Sequence, residues 1–113
     1  MHNVTAHAGC TVLYHENMKA LAKEEIGRRV DDLPAGWPVE GGVLRKEFVF
    51  GSFVEAFGFM AKLAIVAEKH DHHPDWSNSY NKVTISLTTH DAGGITPLDF
   101  ELADYAEKFA AAD

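Results

Sequence analysis

Basic residues are scarce and scattered. Ten Lys and Arg stand against seventeen Asp and Glu, leaving a net charge of −7 over 113 residues. No Lys/Arg cluster exceeds two adjacent residues. Direct nucleic-acid binding is therefore not expected, because that affinity rests on neutralising phosphates. Cysteine is nearly absent: Cys10 alone excludes an intramolecular disulfide and fits a reducing compartment. No apolar run approaches the roughly 20 residues that span a bilayer. Residues 1–9 lack the basic start and apolar core of a secretory signal. The resulting expectation is a soluble, cytoplasmic protein without membrane contact. Repeats and low-complexity tracts are missing as well. What remains is an ordinary globular balance, 46% apolar and 24% charged, in a length that supports one domain.

Against this plain background one stretch stands out, Glu68-Lys69-His70-Asp71-His72-His73-Pro74-Asp75-Trp76. It holds three of the seven histidines within four positions. Imidazole gives and takes protons near neutrality, its unperturbed pKa being about 6.5. A periodic apolar segment leads into the stretch, and an alternating segment leaves it and ends on His90.

The elements around it follow from periodicity. Residues 1–15 form an extension of uncertain structure, with Val12-Leu13-Tyr14 as a short strand or tether. Its His2, His7 and His15 have no ligand spacing. The main domain is residues 16–113. Over residues 19–33, Ala22, Ile26, Val30 and Leu33 recur at helical intervals, and Pro34-Ala35-Gly36 stops the helix. Gly41-Gly42 predicts a hairpin turn between strands at 37–40 and 43–50. In the second strand, Leu44, Phe48 and Phe50 share a face that Lys46 interrupts. Ser52 and Glu55 predict the capped start of a helix, with Phe53, Phe57, Met60, Ala64 and Ala67 as its core stripe. Phe59 and Ile65 lie off that stripe, which points to a second buried face at a subunit contact. The helix ends near Lys69 or His70, because Pro74 drives His73 to an extended conformation.

Beyond the histidines, a short strand at 76–80 and a bend at Asn81-Lys82 precede the clearest strand, 83–88. There Val83, Ile85 and Leu87 alternate with Thr84, Ser86 and Thr88. Thr96-Pro97-Leu98-Asp99 begins a last helix whose apolar face is Leu98, Leu102, Tyr105 and Phe109. This order predicts an α+β fold: a four-stranded antiparallel sheet with three helices packed on one face. The hydroxyls of the 83–88 strand then look away from the helices.

Three chemistries suit the histidines. Imidazoles with a carboxylate nearby are metal ligands, but adjacent His72 and His73 on extended backbone point apart, and no H-E-x-x-H spacing exists. No metal is therefore expected. A polar connection with no chemical role is the second reading. The third is general acid–base work on a small molecule, with His72 or His73 on one loop and His90 at the end of a separate strand. Asp71 and Asp91 then fix tautomers or bind a ring edge, and Trp37 or Trp76 stacks on a flat ring.

The same residues carry a family resemblance. The His/Pro stretch, then Tyr80-Asn81-Lys82-Val83, then Thr88-Thr89-His90-Asp91-Ala92-Gly93-Gly94-Ile95-Thr96 resemble the pterin-4a-carbinolamine dehydratases. Ala56-Phe57-Gly58-Phe59-Met60 and the Gly36-Trp37 pair also match, so the similarity covers residues 19–109. The resemblance implies removal of water from 4a-hydroxytetrahydrobiopterin to give quinonoid dihydrobiopterin, recycling the cofactor of aromatic amino acid hydroxylases. It implies His72, His73 and His90 as catalytic residues, with His72 and His90 carrying protons and His73 placing the substrate. Asp71, Thr88, Thr89, Asp91 and Trp37 match positions lining the pterin pocket. The pterin is the substrate, and no cofactor is implied. A homodimer or homotetramer is implied, with a hydroxylase as functional partner. Ser77 and Ser79 stand where larger apolar residues are expected in animal relatives, which bears on any subunit contact through that strand. The alternative role is a protein-interaction module, a coactivator or dimerisation cofactor for a transcription factor, which would add the nucleus to the expected locations.

Overall fold

The computed structural model describes residues 18–112; the readings made for residues 1–17, Cys10 and three histidines included, lie outside them. The order is α1 (Lys23–Asp31), β1 (Val39–Glu40), β2 (Val43–Val49), α2 (Phe53–Lys69), β3 (Asp75–Ser79), β4 (Lys82–Leu87), a 3-10 turn (His90–Ala92) and α3 (Pro97–Ala112). The four strands form one antiparallel sheet in the order β1-β2-β4-β3. The fold is α+β as expected.

Alternation sets the two faces of the sheet. Leu44, Phe48, Val83, Ile85 and Leu87 are buried and share a core with the helices. Thr84 and Ser86 of β4 lie on the other face. Gly41 and Gly42, at φ 59° and 76°, make the two-residue turn between β1 and β2. Both positions demand the left-handed region that glycine enters at no steric cost. Tyr80, also left-handed at φ 54°, opens the turn between β3 and β4. The Asn78 amide braces that turn on the carbonyls of Tyr80 and Lys82. The expected bend at Asn81-Lys82 is thus a tight hairpin one residue earlier.

Two readings need correction. The first helix is shorter than residues 19–33. Residues 19–22 are not helical; the Leu21 N–H donates instead to the Ile95 carbonyl at 2.8 Å. Within α1, Arg28 and Arg29 both bond Glu25 and hold its carboxyl below the usual range.

The second correction concerns α2. Its core stripe is Ala56, Phe59, Leu63 and Ala67, whereas Phe53 and Phe57 are 48% and 60% exposed. Phe59 sets the rotation of the helix. Its ring lies 5.2 Å from Phe48 and 4.9 Å from Phe50, an aromatic cluster worth more than either exposed ring would gain. Ser52 caps the helix as predicted, accepting from the Glu55 N–H. The Glu55 carboxylate reaches back to the Gly51 N–H.

Lys46, the apparent intruder on the core face of β2, has a structural explanation. Its ammonium sits against Glu107 and the Ala35 carbonyl, 4.8 Å above the Phe48 ring. A charge so placed is paired and shielded rather than stranded.

Candidate active site

The end of α2 delivers the first histidines. Asp71 adopts φ 49°, and its N–H donates to the Glu68 carbonyl while the His72 N–H donates to Ala67. These two bonds form a Schellman termination, usually built on glycine, here with an aspartate in the left-handed position. The turn reverses the chain within two residues and plants His72 back toward the core.

His72 is 6% exposed. Its Nε2 lies 2.5 Å from Oδ1 of Asp99, a carboxylate with no exposure at all. The second oxygen, Oδ2, accepts from the Thr89 hydroxyl at 2.8 Å and from the Thr96 N–H at 2.9 Å. The hydroxyl chain then has one consistent direction. Thr89 gives its only proton to Asp99, so Thr96 donates to Thr89 at 2.7 Å and accepts from the Leu98 N–H at 3.3 Å. Thr96 and Asp99 are thus the two halves of a capping box at the start of α3, and the acid also serves His72. Each carboxylate oxygen has a partner, which is the condition for burying a charge. With three donors on Asp99, His72 presents Nε2–H to it, and the ring is held in one tautomer.

His73 and His90 complete the set from the surface. His73 Nε2 lies 2.9 Å from Glu68, both side chains more than half exposed. His90 follows Thr89, whose backbone bridges to Gly94 and closes the loop that carries the histidine. Gly93, at φ 75°, permits that closure. The His90 side chain is 83% exposed, its Nε2 3.9 Å from Asp75.

All three imidazoles line one cavity of about 240 Å³. Asp71 and Asp91 belong to the same wall, as do Thr88 and Thr89. Trp37 does not. It is 3% exposed in the core, edge-on to Phe48 at 5.9 Å, with its indole N–H donating to Glu107 at 2.7 Å. Its aromatic surface is spent on packing, so the expectation that it flanks a ligand is corrected. Asp99 was missed in the other direction. Its signal was available: Leu98-Asp99 and Leu102-Ala103 followed by Ala106 form the buried stripe of α3, and an acid inside such a stripe needs a partner. Among the described residues no three His, Cys, Asp or Glu side chains are grouped to hold a metal ion. No helix there is long and apolar enough to cross a membrane.

The chain is similar to known proteins over most of its length. The family profile described as pterin 4 alpha carbinolamine dehydratase matches residues 19–109. A Prochlorococcus marinus (strain NATL2A) protein provisionally named pterin-4-alpha-carbinolamine dehydratase is 49% identical over 88 residues, covering 78% of this chain and 92% of its own length. A Rhizobium johnstonii protein with the same provisional name is 47% identical over 96 residues, covering 83% and 94%. Among solved structures, a Brucella melitensis transcriptional coactivator/pterin dehydratase superimposes with a TM-score of 0.78 at 40% identity, covering 81% of this chain and 99% of that one.

Proposed function

Since the chain belongs to the pterin-4-alpha-carbinolamine dehydratases, a family of hydro-lyases, we propose that it removes water from 4a-hydroxytetrahydrobiopterin to give quinonoid dihydrobiopterin. The observation that carries this reading is the meeting of His72, His73 and His90 on one cavity, from two segments fifteen or more residues apart. A volume of about 240 Å³ is below the roughly 300–1,000 Å³ of drug-sized ligand sites, and it suits one small ring system.

The reaction asks little of the protein beyond proton management. The leaving hydroxyl sits on a carbon that also bears a ring nitrogen, and the nitrogen lone pair expels it as the C–O bond breaks. The departing oxygen needs a proton, and a ring N–H must lose one, so the two transfers balance as water. Positioned imidazoles do both, typically for about 10²–10⁴-fold in rate. His90, exposed at the rim, and His72, held from behind by Asp99, carry the protons, and His73 places the ring. Any exchange through His72 runs by Nδ1, since Nε2 is committed to Asp99. Asp99 is accordingly a positioning residue. Asp71, Thr88 and Asp91 supply polar contacts to the ring edge, and Thr89, its hydroxyl spent on Asp99 and Thr96, ties the wall to the buried network. No metal or redox cofactor enters the step, the pterin itself being the substrate. The reaction serves recycling of the pterin spent by aromatic amino acid hydroxylases, in the cytoplasm.

The test supplies hydroxylase-generated carbinolamine and follows the quinonoid product's absorbance. Acceleration by this protein, unchanged after exhaustive chelation, is the expected result. No acceleration contradicts the proposal, and a chelation loss restored by zinc revives the metal reading.

A second role has its own observation. Phe53, Val54, Phe57 and Ile65 leave an apolar face of α2 at 48–77% exposure. Exposed apolar patches of this kind mark contact surfaces. We assign this one to a second copy of the chain, in a homodimer or homotetramer. A coactivator role on the same scaffold is the alternative, and the Brucella neighbour is described in those terms. Sedimentation at micromolar concentration separates them: Phe57→Glu reduces an oligomer to monomers if copies pair there.

A further inference from the structure

One histidine of the His/Pro stretch takes no part in the cavity. His70, the residue on which α2 ends, is absent from its walls. Its side chain, 25% exposed, reaches α3 instead. Nδ1 lies 3.0 Å from the Val66 carbonyl, which also accepts the His70 backbone N–H. Nε2 lies 3.5 Å from Oε1 of Glu101, and the ring rests against Tyr105 with centroids 5.9 Å apart. Glu101 and Tyr105 are one turn apart on α3 and so present one face to the imidazole. A carbonyl and a carboxylate both accept, so the ring that serves both carries a proton on each nitrogen.

The place of this contact matters more than its strength. His72 follows His70 by two residues, and Glu101 follows Asp99 by two. The end of α2 and the start of α3 are therefore joined by two histidine–carboxylate pairs. His72–Asp99 lies in the core, and His70–Glu101 lies at its margin. Between the two histidines stands Asp71 at φ 49°, a conformation that a non-glycine residue keeps only where its surroundings enforce it. The amide bonds to Glu68 and Ala67 fix this turn to α2, but they do not fix it to α3. His72 has to answer both to that turn and to Asp99. A small roll of one helix end against the other would swing its ring, and the outer pair opposes that roll.

We propose that His70 is a positioning residue: with Glu101 it clasps the end of α2 to α3 and so holds His72 at its angle to the cavity. The proposal rests on the reading of His72 as a proton carrier and adds the group that aims it. Since Nε2 of His72 is held by Asp99, the clasp governs the aim of Nδ1. Neither His70 nor Glu101 lines the cavity, so the effect falls on turnover rather than on binding.

The experiment uses the full chain with His70→Leu, with Glu101→Gln and with both. Leucine keeps an apolar contact for Tyr105 and loses both ring nitrogens, and glutamine keeps the length of Glu101 without its charge. Thermal unfolding confirms the fold of each variant. With hydroxylase-generated carbinolamine, each single substitution is expected to lower kcat about twofold to fivefold, the scale of one partly exposed ion pair, with KM unchanged. The double variant loses no more than His70→Leu alone, because both substitutions remove the same contact. The ring 15N resonances of His72 shift in both single variants, a signature that lost stability alone does not produce. Unaltered kcat in both, losses that multiply in the double variant, or His72 resonances that stay fixed each overturn the clasp. If the unaltered chain shows no turnover, the proposed reaction falls by itself, and the His72 resonances still decide the clasp.

Discussion

His72 and His90 line the same cavity in opposite circumstances. His72 is buried, bonded to a carboxylate that is itself bonded to a hydroxyl and a helix-capping amide. His90 stands 83% exposed on a short turn, with Asp75 at 3.9 Å. One half of the site is thus part of the core, and the other is surface. The difference teaches where precision is stored. A buried network holds a ring in one orientation and tautomer before any ligand arrives. An exposed ring acquires its geometry only when a ligand covers it.

The sharpest way to break this contrast is Asp99→Ala. It strands the His72 ring N–H, the Thr89 hydroxyl and the Thr96 amide in the core. We expect a loss of about 3–5 kcal/mol in urea unfolding, the scale of a broken buried pair. A loss below about 1 kcal/mol would deny the network its role. Next comes Asp99→Asn, which keeps the volume but offers a single acceptor oxygen to three donors. It should lower kcat about a hundredfold, within the range of general acid–base catalysis, with KM nearly unchanged. The 15N shifts of His72 should report a changed tautomer, a signature that mere loosening of the fold would not produce.

His72→Ala should lower turnover at least tenfold and stability with it. His90→Ala should match the turnover loss while changing stability by no more than about 0.5 kcal/mol, as befits an exposed side chain. Normal turnover in both variants would remove these residues from the mechanism. The smallest effect belongs to Glu68→Gln, which breaks the exposed pair with His73. Stability should move by less than about 1 kcal/mol, and a larger change in thermal unfolding would mean that this half is not surface after all.

The same contrast explains what the sequence disclosed. The exposed half was legible residue by residue, because His73, His90 and Asp91 do nothing for the core and stand out as chemistry. The four strands were legible because β4 alternates without exception and Gly41-Gly42 marks a turn with few other solutions. The α2 stripe was misread for a physical reason. The helix is apolar on more than one side, so periodicity alone offered Phe53-Phe57-Met60 as readily as Ala56-Phe59-Leu63. The choice was made by Phe48 on β2 and Phe50 just past its end, whose rings meet Phe59 only once the helix folds back on the sheet. Trp37 and Asp99 failed in complementary ways. An aromatic beside a motif invites a ligand-stacking role, yet this indole N–H was already taken by Glu107. An acid in a helix-start pattern invites a capping role, and Asp99 does cap, but the box has a spare oxygen that only the fold assigns to His72.

The central claim is that the buried and exposed halves close on one flat ring. The direct measurement is a titration with an unreactive oxidised pterin, followed through the imidazole resonances of the chain. The account predicts that the signals of His72 and His90 move together and saturate with a single apparent Kd. Signals that stay fixed, or that saturate at different concentrations, would contradict it.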